Sequence, residues 1–366
     1  MSKKSKSSAL HETDGVSQPD ITNTAFIETI KKKRQQQPSI DDLVTDILKG
    51  NITALSRAIT LVESSNPKHL EKANAIIKRC LPHANASIRI GITGVPGVGK
   101  STFIEAFGMF LTNSHKKVAV LAVDPSSSLS KGSILGDKTR MEDLVKNDNA
   151  FIRPSPSGSS LGGVARKTRE TIILCEAAGF DTIIIETVGV GQSETAVHSM
   201  VDFFLLLKIA GAGDELQGIK RGIIEMADTI AINKADGDNL KAAQLAKVEF
   251  NRALHLYPQK ASNWQPKVTL CSALHREGIE ELWDVIAHYI KHTKSNHFFD
   301  GNRTEQNKFW LLQTIEDRLK SQFFTTPKIK SALKTQLELI ENGKTTPFVA
   351  AEYLLNLQPK SLRNDL

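Results

Sequence analysis

The chain of 366 residues contains few cysteines and no long apolar run. The three cysteines, Cys80, Cys175 and Cys271, are odd in number and far apart, which argues against a disulfide framework and for a reducing compartment. No apolar stretch approaches the roughly 20 residues that a membrane-spanning helix needs. The N-terminal lysines are followed by acidic residues rather than by an apolar core, so neither a secretory signal nor a transit peptide is predicted. We therefore expect a cytoplasmic protein without a membrane partner.

The charge balance is weak for a nucleic-acid-binding protein. Lys and Arg number 47 against 40 Asp and Glu, and the resulting net charge of +7 is small for this length. Part of the excess lies in the basic run 31–34, which a solvated tail explains without any nucleic-acid partner. The hydrophobic fraction of 40% is that of a folded protein, which excludes wholly disordered and fibrous classes.

Composition and periodicity divide the chain into four parts. Residues 1–38 are polar, and we expect them to form a mobile arm. Residues 39–83 carry apolar side chains at helical spacing and predict a helical N-terminal segment. Residues 84–293 alternate short β-branched runs with helix-length stretches, which predicts an α/β domain with a mostly parallel central sheet. Residues 294–366 return to helical periodicity and predict a C-terminal helical arm.

The most specific motif is Gly94-Val-Pro-Gly-Val-Gly-Lys-Ser101, which matches G-x-x-x-x-G-K-[ST] between a predicted strand and a predicted helix. Its glycines let the backbone wrap around a phosphate chain with N–H groups pointing inward, and the helix dipole adds positive potential. The Lys100 side chain would reach the β- and γ-phosphates, and the Ser101 hydroxyl would bind Mg²⁺. The predicted phosphate-binding residues are Gly94, Val95, Pro96, Gly97, Val98, Gly99, Lys100, Ser101 and Thr102.

A second motif, N-K-A-D at residues 233–236, indicates which base is bound. It follows the apolar run 229–232, at the carboxyl end of a predicted strand, where α/β proteins bind ligands. A carboxylate at Asp236 can accept hydrogen bonds from N1–H and the exocyclic amine of guanine, a donor pair that adenine lacks. The later sequence S-A-L at 272–274 fits the loop whose backbone N–H meets guanine O6, so GTP is favoured over ATP. The predicted guanine-binding residues are Asn233, Lys234, Asp236, Ser272, Ala273 and Leu274.

Three acidic residues are candidates to hold Mg²⁺ together with the Ser101 hydroxyl. Asp124 and Glu186 each end an apolar run that predicts a strand, and Asp137 lies between those runs. A helix cap or a turn is the commoner role of an isolated acid at a strand end, but beside a phosphate loop a metal-binding role is favoured. Gln192 could orient the attacking water, or it could be an exposed polar residue at a helix N-terminus.

The chain resembles the methylmalonyl-CoA mutase-associated G-protein chaperones. These cobalamin-associated P-loop GTPases are also labelled lysine/arginine/ornithine transport kinases or ATPases. The resemblance covers about residues 40–360, and the helical arms match mainly in length and helical character. It is carried by the stretches GVPGVGKST, VDPSSSLSKGSILGDKTRM, DTIIIETVGVGQSE, GAGDELQGIKRGI, NKADG and CSAL.

The resemblance implies a GTPase that gates adenosylcobalamin loading and protection of methylmalonyl-CoA mutase or a related cobalamin enzyme. Asp124 and Asp137 would belong to the first switch and Glu186 to the second, while Lys220 would lie in a third switch that relays nucleotide state and supports hydrolysis. The family's habit also favours a homodimer through the apolar face of the C-terminal helices, against the alternative that this face closes back on the core. The implied ligands are GTP or GDP and Mg²⁺. The implied catalytic residues are Lys100, Glu186, Gln192 and Lys220.

An ATP-dependent kinase or ATPase that acts on a periplasmic amino-acid transport partner is the main alternative. It would need an acceptor site beside the γ-phosphate, yet the sequence shows no lid or acceptor motif and carries a guanine-type loop. Other P-loop regulators, for nickel insertion or protein targeting, would need a richer His/Cys cluster or a Met-rich domain, and this chain has five Met in all.

Overall fold

The computed structural model describes residues 38–64, 66–123, 141–154, 161–187, 193–211 and 221–357. Within these ranges no helix has both the length and the apolar character needed to cross a bilayer. Outside them lie residues 1–37 of the predicted arm and four predicted site residues, Asp124, Asp137, Gln192 and Lys220.

Three amphipathic helices precede the sheet: α1 (Ile40–Leu48), α2 (Ile52–Glu63) and α3 (Pro67–Cys80). Ser39 and Asp42 form a capping box at the start of α1. The side chains of Asn51 and Asn66 accept hydrogen bonds from the first turns of α2 and α3. Polar caps of this kind satisfy N–H groups that a helix start would otherwise leave unpaired, so they fix where each helix begins.

The centre of the molecule is a seven-stranded sheet whose strand pairs are all parallel. The strands are β1 (Ile88–Gly94), β2 (Val118–Val123), β3 (Ala150–Arg153), β4 (Thr182–Thr187), β5 (Phe203–Ile209), β6 (Thr229–Asn233) and β7 (Lys267–Leu270). Their spatial order is β3-β2-β4-β1-β5-β6-β7. The inner strands are short, mostly apolar runs buried on both faces, as a helix-covered parallel sheet requires. The predicted α/β fold with helical flanks is confirmed, and the described sheet is parallel throughout.

Helices cover both faces of this sheet. They are α4 (Lys100–Asn113), α5 (Glu142–Val145), α6 (Leu161–Ala177), α7 (Ser193–His198), α8 (Arg221–Met226), α9 (Leu240–Leu254) and α10 (Ile279–Ser295). Leu121 and Ile185 join the hydrophobic cluster that contains the buried faces of α1, α2, α3 and α6. Their strand neighbours Val120 and Ile184 join the cluster of α4 and α10 on the other face. Alternation along each strand therefore separates two helical layers, and the N-terminal helices share a core with the sheet.

Three helices end the described chain: α11 (Phe298–Thr325), α12 (Pro327–Glu341) and α13 (Pro347–Asn356). The first half of α11 packs on the α/β unit, where Trp310 is buried in the cluster with α6. The later turns and the helices after them expose large apolar side chains, among them Leu312, Ile315, Leu319, Phe324 and Phe348. The predicted apolar face is thus divided, since one part closes on the core and another part remains open.

Candidate nucleotide-binding site

The phosphate-loop motif lies at the centre of the sheet. β1 ends at Gly94 and α4 begins at Lys100, so residues 95–99 form the turn between them. β1 has β4 on one side and β5 on the other. β2 and β3 lie beyond β4, and β6 and β7 lie beyond β5. The loop therefore opens at the carboxyl edge where the strand order reverses, which is where open α/β sheets bind ligands.

Two glycines of this loop are required by the space around them. A Cβ on Gly94 would lie 2.7 Å from the Leu207 carbonyl oxygen on β5. A Cβ on Gly99 would lie 2.8 Å from the Asn233 amide nitrogen, and Gly99 also has a left-handed φ of +92°. Gly97 has φ +84° but open space around it. Side chains at positions 94 or 99 would therefore push the loop off its neighbours, and the N–H groups at the start of α4 would lose their place beside a bound phosphate.

The Lys100 ammonium lies inside the loop. Its Nζ donates to the Gly94 carbonyl at 2.8 Å and approaches the Val95 carbonyl at 3.4 Å. Burial lowers the pKa of Lys100, and the negative charges of Glu186 and Glu194 oppose that shift. Glu194 is buried in α7, and no motif spacing in the sequence predicts its place beside Lys100. The arrangement places an enclosed cation against carbonyl oxygens that phosphate oxygens can replace.

Asn233, the last residue of β6, joins the phosphate loop to the second loop of the site. Its Nδ2 donates to the Val98 carbonyl at 2.9 Å, and its Oδ1 accepts from the Ala273 N–H at 3.0 Å. The Cys271 thiol lies 3.7 Å from the same Oδ1, and burial raises the pKa of that thiol to about 12, so it stays protonated and can donate. The Asn233 side chain is 1% exposed, so one buried amide holds both loops. Asn233 was predicted as a guanine-binding residue, but its role as a bridge was not; the available signal is an amide at the end of an apolar run, since a buried amide needs hydrogen-bond partners.

The remaining residues of the two guanine-type motifs also meet at this edge. Lys234 Nζ donates to the Gly97 carbonyl at 3.0 Å. The Ser272 hydroxyl donates to the half-buried carboxylate of Asp236. The Leu274 side chain is 74% exposed and lies at the rim. The structure therefore brings the predicted phosphate loop and the predicted guanine loop into one connected site.

Two of the four predicted metal ligands lie in the described ranges. Glu186 is buried near the end of β4, where its charge acts on the phosphate-loop lysine. Ser101 is half-buried in the first turn of α4. Among the described residues no group of three or more His, Cys, Asp or Glu side chains is arranged to hold a metal ion. Asp124 and Asp137 lie outside those residues, so the predicted four-residue site stays a prediction.

A separate cavity of about 900 Å³ lies at the opposite, amino edge of the sheet. Its walls include His198, Asp228, Lys260 and Trp264. Burial lowers the pKa of His198, so the imidazole is neutral at physiological pH. Because the phosphate loop lies at the carboxyl edge, this cavity is distinct from the nucleotide site.

The sequence profile of one protein family matches residues 55–328, more than half of the chain. That family is described as "Methylmalonyl Co-A mutase-associated GTPase MeaB". The chain belongs to this family. The family resemblance predicted from the sequence motifs is thereby confirmed, and the matched MeaB segment contains the phosphate loop, the Asn233 bridge and the S-A-L loop.

Curated relatives and a solved structure agree with MeaB membership. A probable GTPase of Mycobacterium tuberculosis (strain ATCC 25618 / H37Rv) is 48% identical over 320 residues, which are 87% of this chain and 95% of that protein. The mitochondrial methylmalonic aciduria type A homolog of Mus musculus is 44% identical over 331 residues, 88% of this chain and 80% of that protein. A crystal structure of an LAO/AO transport system kinase is 38% identical with a TM-score of 0.70, over 87% of this chain and 96% of that one. This MeaB-family chain shares most of its length with all three proteins and its fold with the crystal structure.

Proposed function

We propose that this chain is a GTP-hydrolysing chaperone whose nucleotide state gates adenosylcobalamin loading and protection of methylmalonyl-CoA mutase or a related cobalamin enzyme. The family description supports the link to the mutase. The single structural observation that supports guanine-nucleotide binding is the Asn233 bridge between the phosphate loop and the guanine-type loop. A nucleotide that contacts both loops meets two surfaces already held in place, which reduces the ordering cost of binding.

Asp236 selects the guanine base in this proposal. Its carboxylate, oriented by the Ser272 hydroxyl, accepts from guanine N1–H and the exocyclic amine. The N–H groups of Ala273 and His275 are already used by side chains of the site. The Leu274 N–H is therefore the donor that we assign to guanine O6. Adenine offers neither the donor pair nor this acceptor, so the carboxylate would keep only the Ser272 hydroxyl as a partner.

In this proposal the phosphate loop and the residues beside it bind the phosphates and catalyse hydrolysis. Lys100 exchanges its carbonyl partners for phosphate oxygens and neutralises the charge that develops on the γ-phosphate. Ser101 and Glu186 fit a magnesium site because hydroxyl and carboxylate oxygens are the ligands that Mg²⁺ prefers, and the bound ion supplies further neutralisation of the phosphate charge. Four further roles are proposed from the sequence alone. Asp124 and Asp137 would be metal ligands, and Gln192 and Lys220 would be catalytic residues.

The exposed apolar side chains of α11, α12 and α13 support a homodimer in this proposal. Leu312, Ile315 and Leu319 on α11 are each about half exposed or more, and an uncovered apolar face of this kind favours association. The third switch around Lys220 would then report the nucleotide state to the mutase.

Reconstitution of the mutase tests the gating. Apo-mutase is mixed with adenosylcobalamin and this chain in the presence of GTP, GDP or a non-hydrolysable GTP analogue. The loaded fraction is read from the cofactor absorbance, and protection is read from the rate of mutase inactivation during turnover. We expect both readouts to differ between nucleotide states and the Lys100→Ala variant to lose that difference. Lys291→Ala, which removes an exposed lysine on α10, is the matched control and keeps the difference. Identical loading and protection in every nucleotide state would contradict the gating role.

A further inference from the structure

A buried cluster of charged side chains lies at the amino edge of the sheet, where α11 meets β1, β5 and α6. It contains three guanidinium groups and two carboxylates, and we call it the arginine cluster. Its members are Arg89, Arg169, Arg303, Glu176 and Asp202.

Two of the arginines each form an ion pair with one carboxylate. Arg303 donates from two nitrogens to Asp202 at 2.7 and 2.6 Å, and it also donates to two main-chain carbonyls at 2.8 and 2.7 Å. Arg89 donates from two nitrogens to Glu176 at 3.0 and 3.1 Å. Paired geometry of this kind satisfies both carboxylates and neutralises two of the three positive charges.

Arg169 on α6 has no carboxylate of its own in the arginine cluster. Its Nη2 donates to the neutral Asn307 side chain at 2.6 Å. Burial, and then the positive charge of Arg89, lower the pKa of Arg169 to about 10, while the two carboxylates act in the opposite direction. The guanidinium therefore remains charged at neutral pH. Within the buried cluster three positive charges face two negative charges. The negative charge of Asp300 also acts on Arg303, but Asp300 is exposed to solvent, so the buried groups alone carry a surplus of one positive charge.

Three buried polar atoms of this region have no hydrogen-bond partner within the described ranges. They are Nη1 of Arg89, Nη1 of Arg169 and Oε1 of Gln306. Arg89 is 2% exposed and Gln306 is 5% exposed. Arg169 is half-buried as a whole, but its Nη1 atom is buried like the other two atoms. Charged donors are rarely left without acceptors in a protein interior. Two unused guanidinium N–H groups together with a surplus charge indicate an acceptor that does not come from the described chain.

The residues that carry these three atoms are linked by hydrogen bonds of their other groups and by neighbouring positions in the chain. Gln306 directly precedes Asn307, the residue that binds Arg169. The Gln306 amide donates at 2.7 Å to the main-chain carbonyl just before Asp202. Asp202 in turn accepts the main-chain N–H of Arg89 at 2.8 Å. The charge of Arg89 also acts on Arg169, so the unused donors and the surplus charge belong to one buried network in which β1, α6 and α11 take part.

We propose that Arg89 and Arg169 bind a small monovalent anion in this buried network, with chloride as the physiological ligand. The anion accepts from both Nη1 atoms and cancels the surplus charge, and a water molecule donates to Gln306 Oε1. Water alone would satisfy the hydrogen bonds but would leave the buried charge uncompensated. Because α11 contributes Arg303, Gln306 and Asn307 to the same network, the anion favours the docked position of α11 on the α/β unit.

Urea unfolding of the full chain tests the anion site. Chloride replaces gluconate at constant ionic strength, so that screening does not change. Binding to the folded state alone multiplies the folded-to-unfolded ratio by 1 + [Cl⁻]/Kd, which is about elevenfold when chloride is ten times its Kd. We expect Arg169→Gln to abolish this response. Arg166→Gln is the matched control, because it removes the same charge from the same helix at a half-buried residue that pairs with Glu170 at 3.1 Å, and it keeps the response.

Bromide supplies a direct readout on the unaltered chain. Crystals grown in sodium bromide should show an anomalous peak between the Nη1 atoms of Arg89 and Arg169. A peak at that position without anomalous signal, refining as water, overturns the proposal. So does a chloride response in urea that is the same for the unaltered chain and for Arg169→Gln. The diffraction result decides the matter even where Arg169→Gln does not fold.

Discussion

Removing the Asn233 amide should uncouple the two loops of the nucleotide site. In Asn233→Ala the Val98 carbonyl and the Ala273 N–H both lose their partner in a region that is almost fully buried. Each unsatisfied group costs about 1–3 kcal/mol, so the two together cost about 2–6 kcal/mol. Part of this cost lowers the free energy of unfolding. The remaining part weakens nucleotide binding, because the two loops move apart towards water in the free protein and the nucleotide must bring them together again.

We predict that Asn233→Ala weakens GDP binding at least tenfold, which corresponds to about 1.4 kcal/mol, and lowers the free energy of unfolding by about 2 kcal/mol. A fluorescent guanine nucleotide measures the first effect and urea unfolding measures the second.

Asn147→Ala is the matched control for this experiment. The Asn147 side chain also donates and accepts: its Nδ2 donates to the Thr112 hydroxyl at 3.1 Å and lies 4.0 Å from the Met109 sulfur, and its Oδ1 accepts from the Asn149 N–H at 2.9 Å. Asn147 lies before β3, at the amino edge of the sheet. The control should lose stability and keep its nucleotide affinity. The bridge does not hold the nucleotide site together if Asn233→Ala binds GDP as tightly as the unaltered chain, or no more weakly than Asn147→Ala does.

Three further predictions concern the loop glycines, the base and the buried thiols. Gly99→Ala should weaken nucleotide binding by more than tenfold, because its Cβ would lie 2.8 Å from the Asn233 amide nitrogen. Gly97→Ala has open space around it and should cost only the about 1–2 kcal/mol of a left-handed φ. Titration of both variants with GDP ranks the two effects. Asp236→Asn should lower the affinity for GTP at least about a hundredfold and raise the affinity for xanthosine triphosphate, in which a carbonyl replaces the guanine amine. Competition between the two nucleotides shows whether the preference reverses. Burial raises the thiol pKa of Cys80 to about 11 and of Cys271 to about 12 from 9.0, so the unfolded chain ionises first. Stability should be retained below about pH 9 and fall above it, and urea midpoints between about pH 8 and about pH 10.5 that do not fall would contradict this.

The fold was predictable because its signals are local. The alternation of short buried runs with helix-length stretches predicts a parallel sheet with crossover helices, and seven parallel strands are present in the described chain. The phosphate loop and the N-K-A-D motif could be placed at strand ends for the same reason, since each begins at the last residue of its strand. Such motifs carry their own structural context.

The connections between distant segments were not predictable in this way. Arg89 and Asp202 are 113 residues apart, and Arg303 lies another 101 residues further along, yet they share one buried network. Periodicity shows that a helix such as α2 buries one face, but it does not identify α6 and the sheet as the surface that covers that face. The Asn233 bridge depends on the register that sets β6 beside β5 and β7, which no single segment encodes.

GTP hydrolysis by the purified chain, measured while methylmalonyl-CoA mutase is titrated in and with ATP as the control nucleotide, tests most directly whether this protein is a GTP-dependent chaperone. We predict slow basal turnover of GTP, saturable acceleration by the mutase, and no comparable response with ATP. A Lys220→Ala variant should bind GTP normally and lose the acceleration. Turnover that ignores the mutase, or that uses ATP as readily as GTP, would contradict the proposed function.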